Sequence, residues 1–321
     1  MTNRPKAIIL GCAGTALTPE EEECLRKWRP LGLILFKRNI ESPKQVRALG
    51  AAFRDCVGRE NAPILVDQEG GLVQRLRAPN WTELPAVKTY EEQWGDDEMQ
   101  LEKAVAHHAQ VIAENLRTAG ITTDCWPCLD VAQEQTHAVM ASRCFSTRPE
   151  RVAWLAEVAV RALLQQGIMP VVKHLAGYGR AVVDPHKDLP VVEADLETLN
   201  RTDFVPFRQM RLPVWGMTAH IIYRALDPER PATLSPRVMN YIRQEIGFDG
   251  FVISDAMEMG ALTHFGTPAE IADGILRAGC DAVLHCTGVL TDVSGWIDRV
   301  PEVSDAGLKR LQVAEELLKC C

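Results

Sequence analysis

Short apolar runs alternate with amphipathic segments along the whole chain, and this alternation restricts the folds open to it. The runs fall at residues 7–11, 32–36, 63–66, 123–126, 169–172, 213–217, 250–253 and 281–284. Each is too short for a helix and bounded by Gly, Pro or charged residues, so each is predicted to be a strand. Their near-continuous apolar character predicts strands buried on both faces, as in a parallel sheet covered by helices. Helix starts stand between them. Thr18-Pro19-Glu20-Glu21, Ser42-Pro43, Ser235-Pro236 and Thr267-Pro268 each place a hydroxyl at the N-cap and a proline at the first helical position. Gly120, Gly167 and Gly247 are predicted stops for helices over 97–119, 148–166 and from 235 onward. Pro206 is predicted to break a helix over 196–210, and helices over 290–299 and 305–319 close the chain. Eight strand–helix units predict a single-domain (β/α)8 TIM barrel over residues 1–321. A doubly wound sheet would carry a glycine-rich phosphate turn after its first strand, and Gly11-Cys12-Ala13-Gly14 matches that poorly.

Charge and cysteine usage narrow the function. Lys plus Arg number 35 against 43 Asp plus Glu, for a net charge of -8. That balance argues against nucleic acid or an anionic membrane as partner. No apolar run approaches the length of a membrane-spanning helix, and the N-terminus shows no signal-peptide core. The ten cysteines show no metal-site rhythm and are expected to be reduced thiols of a cytoplasmic protein. Cys125-Trp126-Pro127-Cys128 has redox-motif spacing, but it lies within an apolar segment rather than opening a helix, so no redox role is expected. Cys320-Cys321 is expected to be a frayed tail.

In a barrel of this kind the reactive groups stand at the carboxyl ends of the strands. Six strands deliver ionisable residues there: Asp67 and Glu69, Asp130, Lys173-His174, His220, Asp255, and His285. Singly, each is as well explained by a structural role; Asp255, for instance, is placed to cap a short helix. Their coincidence on one rim points to an active site. The loop after the fifth strand carries Asp184 and His186, two residues apart. In extended chain this puts a carboxylate beside an imidazole, which would fix its tautomer and favour its protonated form. An exposed loop histidine without a role explains the same pair. No H-E-x-x-H or other metal-ligand spacing occurs, and no G-x-S-x-G elbow, so neither a metal nor another cofactor is expected. A strand-end carboxylate, a loop proton-transfer group and a rim of Asp, Arg, Lys and His suit a polyhydroxylated substrate.

Several segments then match a known family in order and spacing. They are Leu33-Ile34-Leu35-Phe36-Lys37-Arg38-Asn39, the run from Val66-Asp67-Gln68-Glu69-Gly70-Gly71 to Arg75-Leu76, Pro127-Cys128-Leu129-Asp130-Val131, Ser142-Arg143-Cys144-Phe145, Lys173-His174 with Asp184-x-His186, and Ile253-Ser254-Asp255. In these the chain resembles the β-N-acetylhexosaminidases of glycoside hydrolase family 3, of the single-domain NagZ type. The resemblance implies a retaining glycosidase that removes terminal β-linked N-acetylglucosamine through a covalent glycosyl-enzyme. It implies Asp255 as nucleophile, His186 as acid/base and Asp184 as its partner. It further implies Asp67, Arg75, Arg143, Lys173 and His174 as substrate-binding residues. The implied substrate is an N-acetylglucosamine-containing oligosaccharide or muropeptide, cut before 1,6-anhydro-N-acetylmuramic acid in cell-wall recycling.

The chain departs from the family pattern at four points. K-H-F-P-G-H-G reads K-H-L-A-G-Tyr178-G, G-D-R reads Ala141-Ser142-Arg143, S-D-D reads Ser254-Asp255-Ala256, and D-S-H reads Asp184-Pro185-His186. Each leaves the implied catalytic groups in place, while Pro185 would stiffen the acid/base segment. A β-glucosidase, a glycoside phosphorylase and a catalytically silent cell-wall-fragment sensor are the competing functions. The Asp184-x-His186 pair speaks against the first, and the retention of Asp255, His186 and Asp184 against the last.

Overall fold

The computed structural model describes residues 4–181 and 189–320. Eight parallel strands close into a barrel in which every strand pairs with its sequence neighbours. They are β1 (Lys6–Leu10), β2 (Pro30–Leu35), β3 (Ile64–Val66), β4 (Thr123–Asp124), β5 (Met169–Leu175), β6 (Trp215–Thr218), β7 (Val252–Ala256) and β8 (Ala282–His285). Ile9 opposite Leu284 closes the ring between β1 and β8. This is the predicted (β/α)8 barrel, with strand ends shifted by one to three residues. The strands read as unbroken apolar runs because both faces are covered: Ile8, Leu33, Leu65, Val171, Val252 and Val283 are inaccessible to solvent.

The helix starts behave as their chemistry dictates. Thr18 accepts from Glu21 N–H while Glu21 returns to Thr18 N–H, and Thr267 with Glu270 repeats this box. Each such cap contributes about 1 kcal/mol. Gly120 and Gly247 end their helices in the left-handed region, at φ 70° and 78°. The helix expected over 196–210 is two helices, Leu196–Arg201 and Val205–Gln209. The break comes before Pro206, which sits in the first turn of the second helix, where its missing N–H costs nothing. The break has a use: Asp203 there accepts from Arg180 at 2.7 Å, which ties down the start of the loop after β5. No helix among the described residues is long and apolar enough to cross a membrane.

Candidate active site

A cavity of about 440 Å³ opens at the carboxyl end of the barrel. Asp67, Arg75, Arg143, Lys173, His174 and Asp255, all singled out from sequence, line it together. Asp184 and His186 lie outside the described residues. A larger cavity of about 1110 Å³ at the opposite end, between the strand starts and the C-terminal helix Asp305–Cys320, gathers no comparable chemistry. Its Arg54 and Arg59 are spent on backbone carbonyls.

Asp67 leaves β3 and enters a two-stranded hairpin, Gln68–Gly70 with Val73–Gln74. The glycines of the D-Q-E-G-G segment are needed here. Gly70 and Gly71 have φ of 96° and 58°, and a Cβ on Gly70 would lie 2.4 Å from the Pro85 carbonyl oxygen. The buried Gln68 side chain accepts from the N–H groups of Arg75 and Leu76 and donates to the Leu76 carbonyl, locking the hairpin. Asp67 and Glu69, two apart in extended chain, reach the same cation. Lys173 Nζ lies 2.9 Å from Asp67 Oδ1 and 2.7 Å from Glu69 Oε1. Arg75 bonds the other Asp67 oxygen at 3.0 Å. Arg143 grips Glu69 with two bonds, at 2.8 and 2.7 Å.

Each charge in this chain is held by its neighbours. Burial alone would raise the Asp67 and Glu69 carboxyls, but Lys173 with Arg75, and Arg143 with Lys173, hold them well below the usual carboxylate range. Burial alone would lower the Lys173 ammonium, and Asp67 and Glu69 drive it well above its ordinary value. The strand pairing of β5 shifts between Lys173 and Leu175, and the consecutive Lys173 and His174 both reach the cavity. His174 Nδ1 donates to Asp130 Oδ2 at 2.7 Å, leaving Nε2 toward Arg143 at 3.5 Å. Asp130 Oδ1 also accepts from Tyr178 N–H, so one buried carboxylate fixes both the imidazole and the loop beyond it. Tyr178, at the family's histidine position, is buried and stands 5.6 Å from the His174 ring. Asp255, at the end of β7, is half-buried with Oδ1 accepting from Ala256 N–H at 2.7 Å. Across the cavity Phe36 carries the guanidinium groups of Arg38 and Arg75 at 4.9 and 5.6 Å from its ring centroid.

Some rim residues turn out differently from the simple expectation. Glu69 and Asp130, left without a role from sequence, are the partners of Arg143 and His174. The two-residue spacing of Asp67 and Glu69 was the available signal for the first. His220 supports β7 from outside the cavity by donating to the Ala256 carbonyl at 2.9 Å, and His285 faces away from the cavity altogether. Cys125 and Cys128 are fully buried free thiols that burial pushes well up, which removes the thiolate a redox pair needs. Cys128, Asp130 and His174 offer ligand atoms within 4.8 Å of one another, a grouping that no sequence spacing announced. In this structure the imidazole and carboxylate are bonded to each other.

His108 supports the hairpin from behind. Its Nε2–H donates to the Glu69 carbonyl, and Tyr90 donates its hydroxyl to Nδ1, both at 2.9 Å. Burial lowers its pKa from 6.5 to about 4. Between those values the unfolded chain carries a proton here that the folded protein does not, so stability falls as pH drops from 6.5 toward 4. The expected contribution is roughly 3 kcal/mol across that window. Urea denaturation of His108→Gln should show a flatter pH dependence there, whatever its absolute stability. An unchanged slope would sink the assignment.

Residues 6–318 match the family model described as glycosyl hydrolase family 3 N terminal domain. The chain belongs to glycosyl hydrolase family 3. This family 3 barrel is therefore a glycoside hydrolase, as the motifs implied. It is 36% identical over 310 residues to the beta-hexosaminidase of Pseudomonas aeruginosa, covering 96% of this chain and 87% of that protein. It is 38% identical over 284 residues to the beta-hexosaminidase of Alkalilimnicola ehrlichii, covering 87% of this chain and 80% of that one. The solved structure of NagZ from Neisseria gonorrhoeae in complex with N-trifluoroacetyl-D-glucosamine is similar at a TM-score of 0.87 and 30% identity. It covers 99% of this family 3 chain and 93% of its own.

Proposed function

We propose that this family 3 chain is a retaining β-N-acetylhexosaminidase that removes terminal β-linked N-acetylglucosamine, with residues 1–321 acting as one catalytic domain. One observation carries the reading: Asp255 opens into the same cavity as the Asp67–Lys173–Glu69–Arg143 chain and His174. A sugar needs acceptors and charged donors for its hydroxyls, and a carboxylate free to meet its anomeric carbon. Lys173, Arg75 and Arg143 keep Asp67 and Glu69 ionised as acceptors and present N–H donors beside them.

In the first step Asp255 attacks the anomeric carbon as the glycosidic C–O bond breaks, and His186 gives its proton to the departing oxygen. In the second, a water attacks that carbon, His186 takes the water's proton, and the Asp255 ester bond breaks. Two moderate barriers replace one high one. Asp184 favours the imidazolium that gives the proton. The natural substrate on this reading is a muropeptide bearing N-acetylglucosamine on 1,6-anhydro-N-acetylmuramic acid, met in the cytoplasm. Free thiols at the described cysteines support that compartment.

The protein is expected to release nitrophenol from its β-N-acetylglucosaminide at least about a hundredfold faster, in kcat/KM, than from its β-glucoside. Equal rates would overturn the reading. A glycosyl phosphate appearing when phosphate is added would replace hydrolysis by phosphorolysis.

A further inference from the structure

The Phe36-Lys37-Arg38-Asn39 segment after β2 belongs to the motifs that carry the family resemblance, yet only Phe36 among them lines the active-site cavity. Arg38 and Asn39 reach into the neighbouring loops instead. Arg38 Nε donates to the Cys12 carbonyl after β1 at 3.0 Å, and Arg38 Nη2 donates to the Cys286 carbonyl after β8. The buried Asn39 side chain accepts from Phe36 N–H at 2.9 Å and donates to the carbonyls of Cys12 and Gly14 at 3.0 and 2.8 Å. The loops after β8, β1 and β2, neighbours in the barrel, are thus tied to one guanidinium and one amide.

Room for that guanidinium is built into the backbone. A Cβ on Gly11 or on Gly288 would stand 2.9 Å from Arg38 Nη2, and Gly288 has a φ of 73°. Among the described residues no carboxylate pairs with Arg38. Its charge faces the Phe36 ring, 4.9 Å from the centroid, and the same ring carries Arg75 at 5.6 Å. Arg75 needs that support. It gives one N–H to Asp67, at 3.0 Å, while its buried Nε has no hydrogen-bond partner among the described residues. A guanidinium held by one hydrogen bond can swing about that contact, so the ring face is what fixes its plane.

We propose that Arg38 is a positioning residue for sugar binding: anchored on the Cys12 and Cys286 carbonyls, it fixes the Phe36 ring, and the ring holds the Arg75 guanidinium toward a sugar hydroxyl. This rests on the β-N-acetylhexosaminidase reading, in which Arg75 binds the sugar. Arg75 follows β3 and Asp255 ends β7, on opposite sides of the barrel ring. The Arg75 contact is therefore remote from the reacting carbon, and its loss weakens binding rather than turnover.

Kinetics with nitrophenyl β-N-acetylglucosaminide in a double-mutant cycle test the role. Arg38→Met should raise KM about three- to tenfold and leave kcat within about twofold. Arg75→Met should raise KM at least as much. Adding Arg38→Met to it should change KM by less than about twofold, because the positioned group is already gone. Phe36→Leu, which keeps apolar bulk and removes the ring face, should repeat both results, and it carries the cycle if Arg38→Met does not fold. KM effects that multiply in the double variant, a loss confined to kcat, or an unchanged KM overturn the positioning role and leave the functional reading intact. No turnover of the glycoside by the wild type overturns that reading and the role with it.

Discussion

Asp255→Ala is expected to lose turnover of the nitrophenyl β-N-acetylglucosaminide by on the order of 10⁴-fold or more in kcat, with KM changed little. The residue ends β7 and opens into the cavity, so alanine removes the attacking oxygen without breaking a buried ion pair. Among the described residues only the N–H of Ala256 loses a partner, and it stands at a half-buried position. Added azide should restore turnover by taking the place of the carboxylate, and the product should then be the α-azide. Persisting hydrolysis in Asp255→Ala would remove Asp255 as nucleophile. His186→Ala should behave differently. Proton donation contributes about 10²–10⁴-fold for a poor leaving group. It contributes far less for nitrophenolate, which departs unprotonated, so the loss should grow with the pKa of the leaving group.

Lys173→Met is expected to cost about 3–5 kcal/mol of stability near neutral pH, measured by urea denaturation. The ammonium is 2% exposed and bridges Asp67 and Glu69, so its removal leaves the buried Glu69 and the partly buried Asp67 carboxylates with one arginine each. The pH dependence identifies the cause. In the wild type both carboxyls are held below their ordinary values. Their contribution is complete above the unfolded pKa, near 4, and is lost as pH falls through the depressed folded values. The variant lacks much of that depression, so the two stability curves should converge below about pH 4. A deficit that stays constant into acid would show lost packing rather than lost charge compensation.

The strand count and order were legible because period and burial are written locally. An apolar run buried on both faces, closed by Gly or Pro and followed by a hydroxyl N-cap, describes β2 or β7 without any partner. The strand ends slipped because the last residues of β5 and β7 are Lys173-His174-Leu175 and Ser254-Asp255-Ala256, whose polar character hides their place in the sheet. The helix break before Pro206 was misplaced for a related reason. Proline marks the start of the second helix, while the break itself is held by Asp203 and Arg180, a pairing across the fold.

The six cavity-lining residues named from sequence were legible through motif spacing, and the structure brings them to one cavity. Their partners were not. Glu69 meets Arg143 across 74 positions and Asp130 meets His174 across 44, and no local pattern records contacts at that range. Of the ionisable residues delivered to the rim, His220 and His285 do not line the cavity, although their strands contribute Met217 and Leu284 to it. Backbone direction at a strand end, rather than the count of residues, decides which side a side chain takes.

The sequence alone determined the barrel, because the alternation of buried runs and capped helices has few compact solutions and eight units close one ring. It also determined which residue types reach the carboxyl-end rim. Tertiary structure alone decided how their charges are shared. Lys173 binds two carboxylates, Glu69 rather than solvent receives Arg143, and Asp130 holds both the His174 ring and the Tyr178 N–H. These arrangements depend on distances between segments far apart in the chain, where burial strengthens each charge and only the folded geometry supplies its partner.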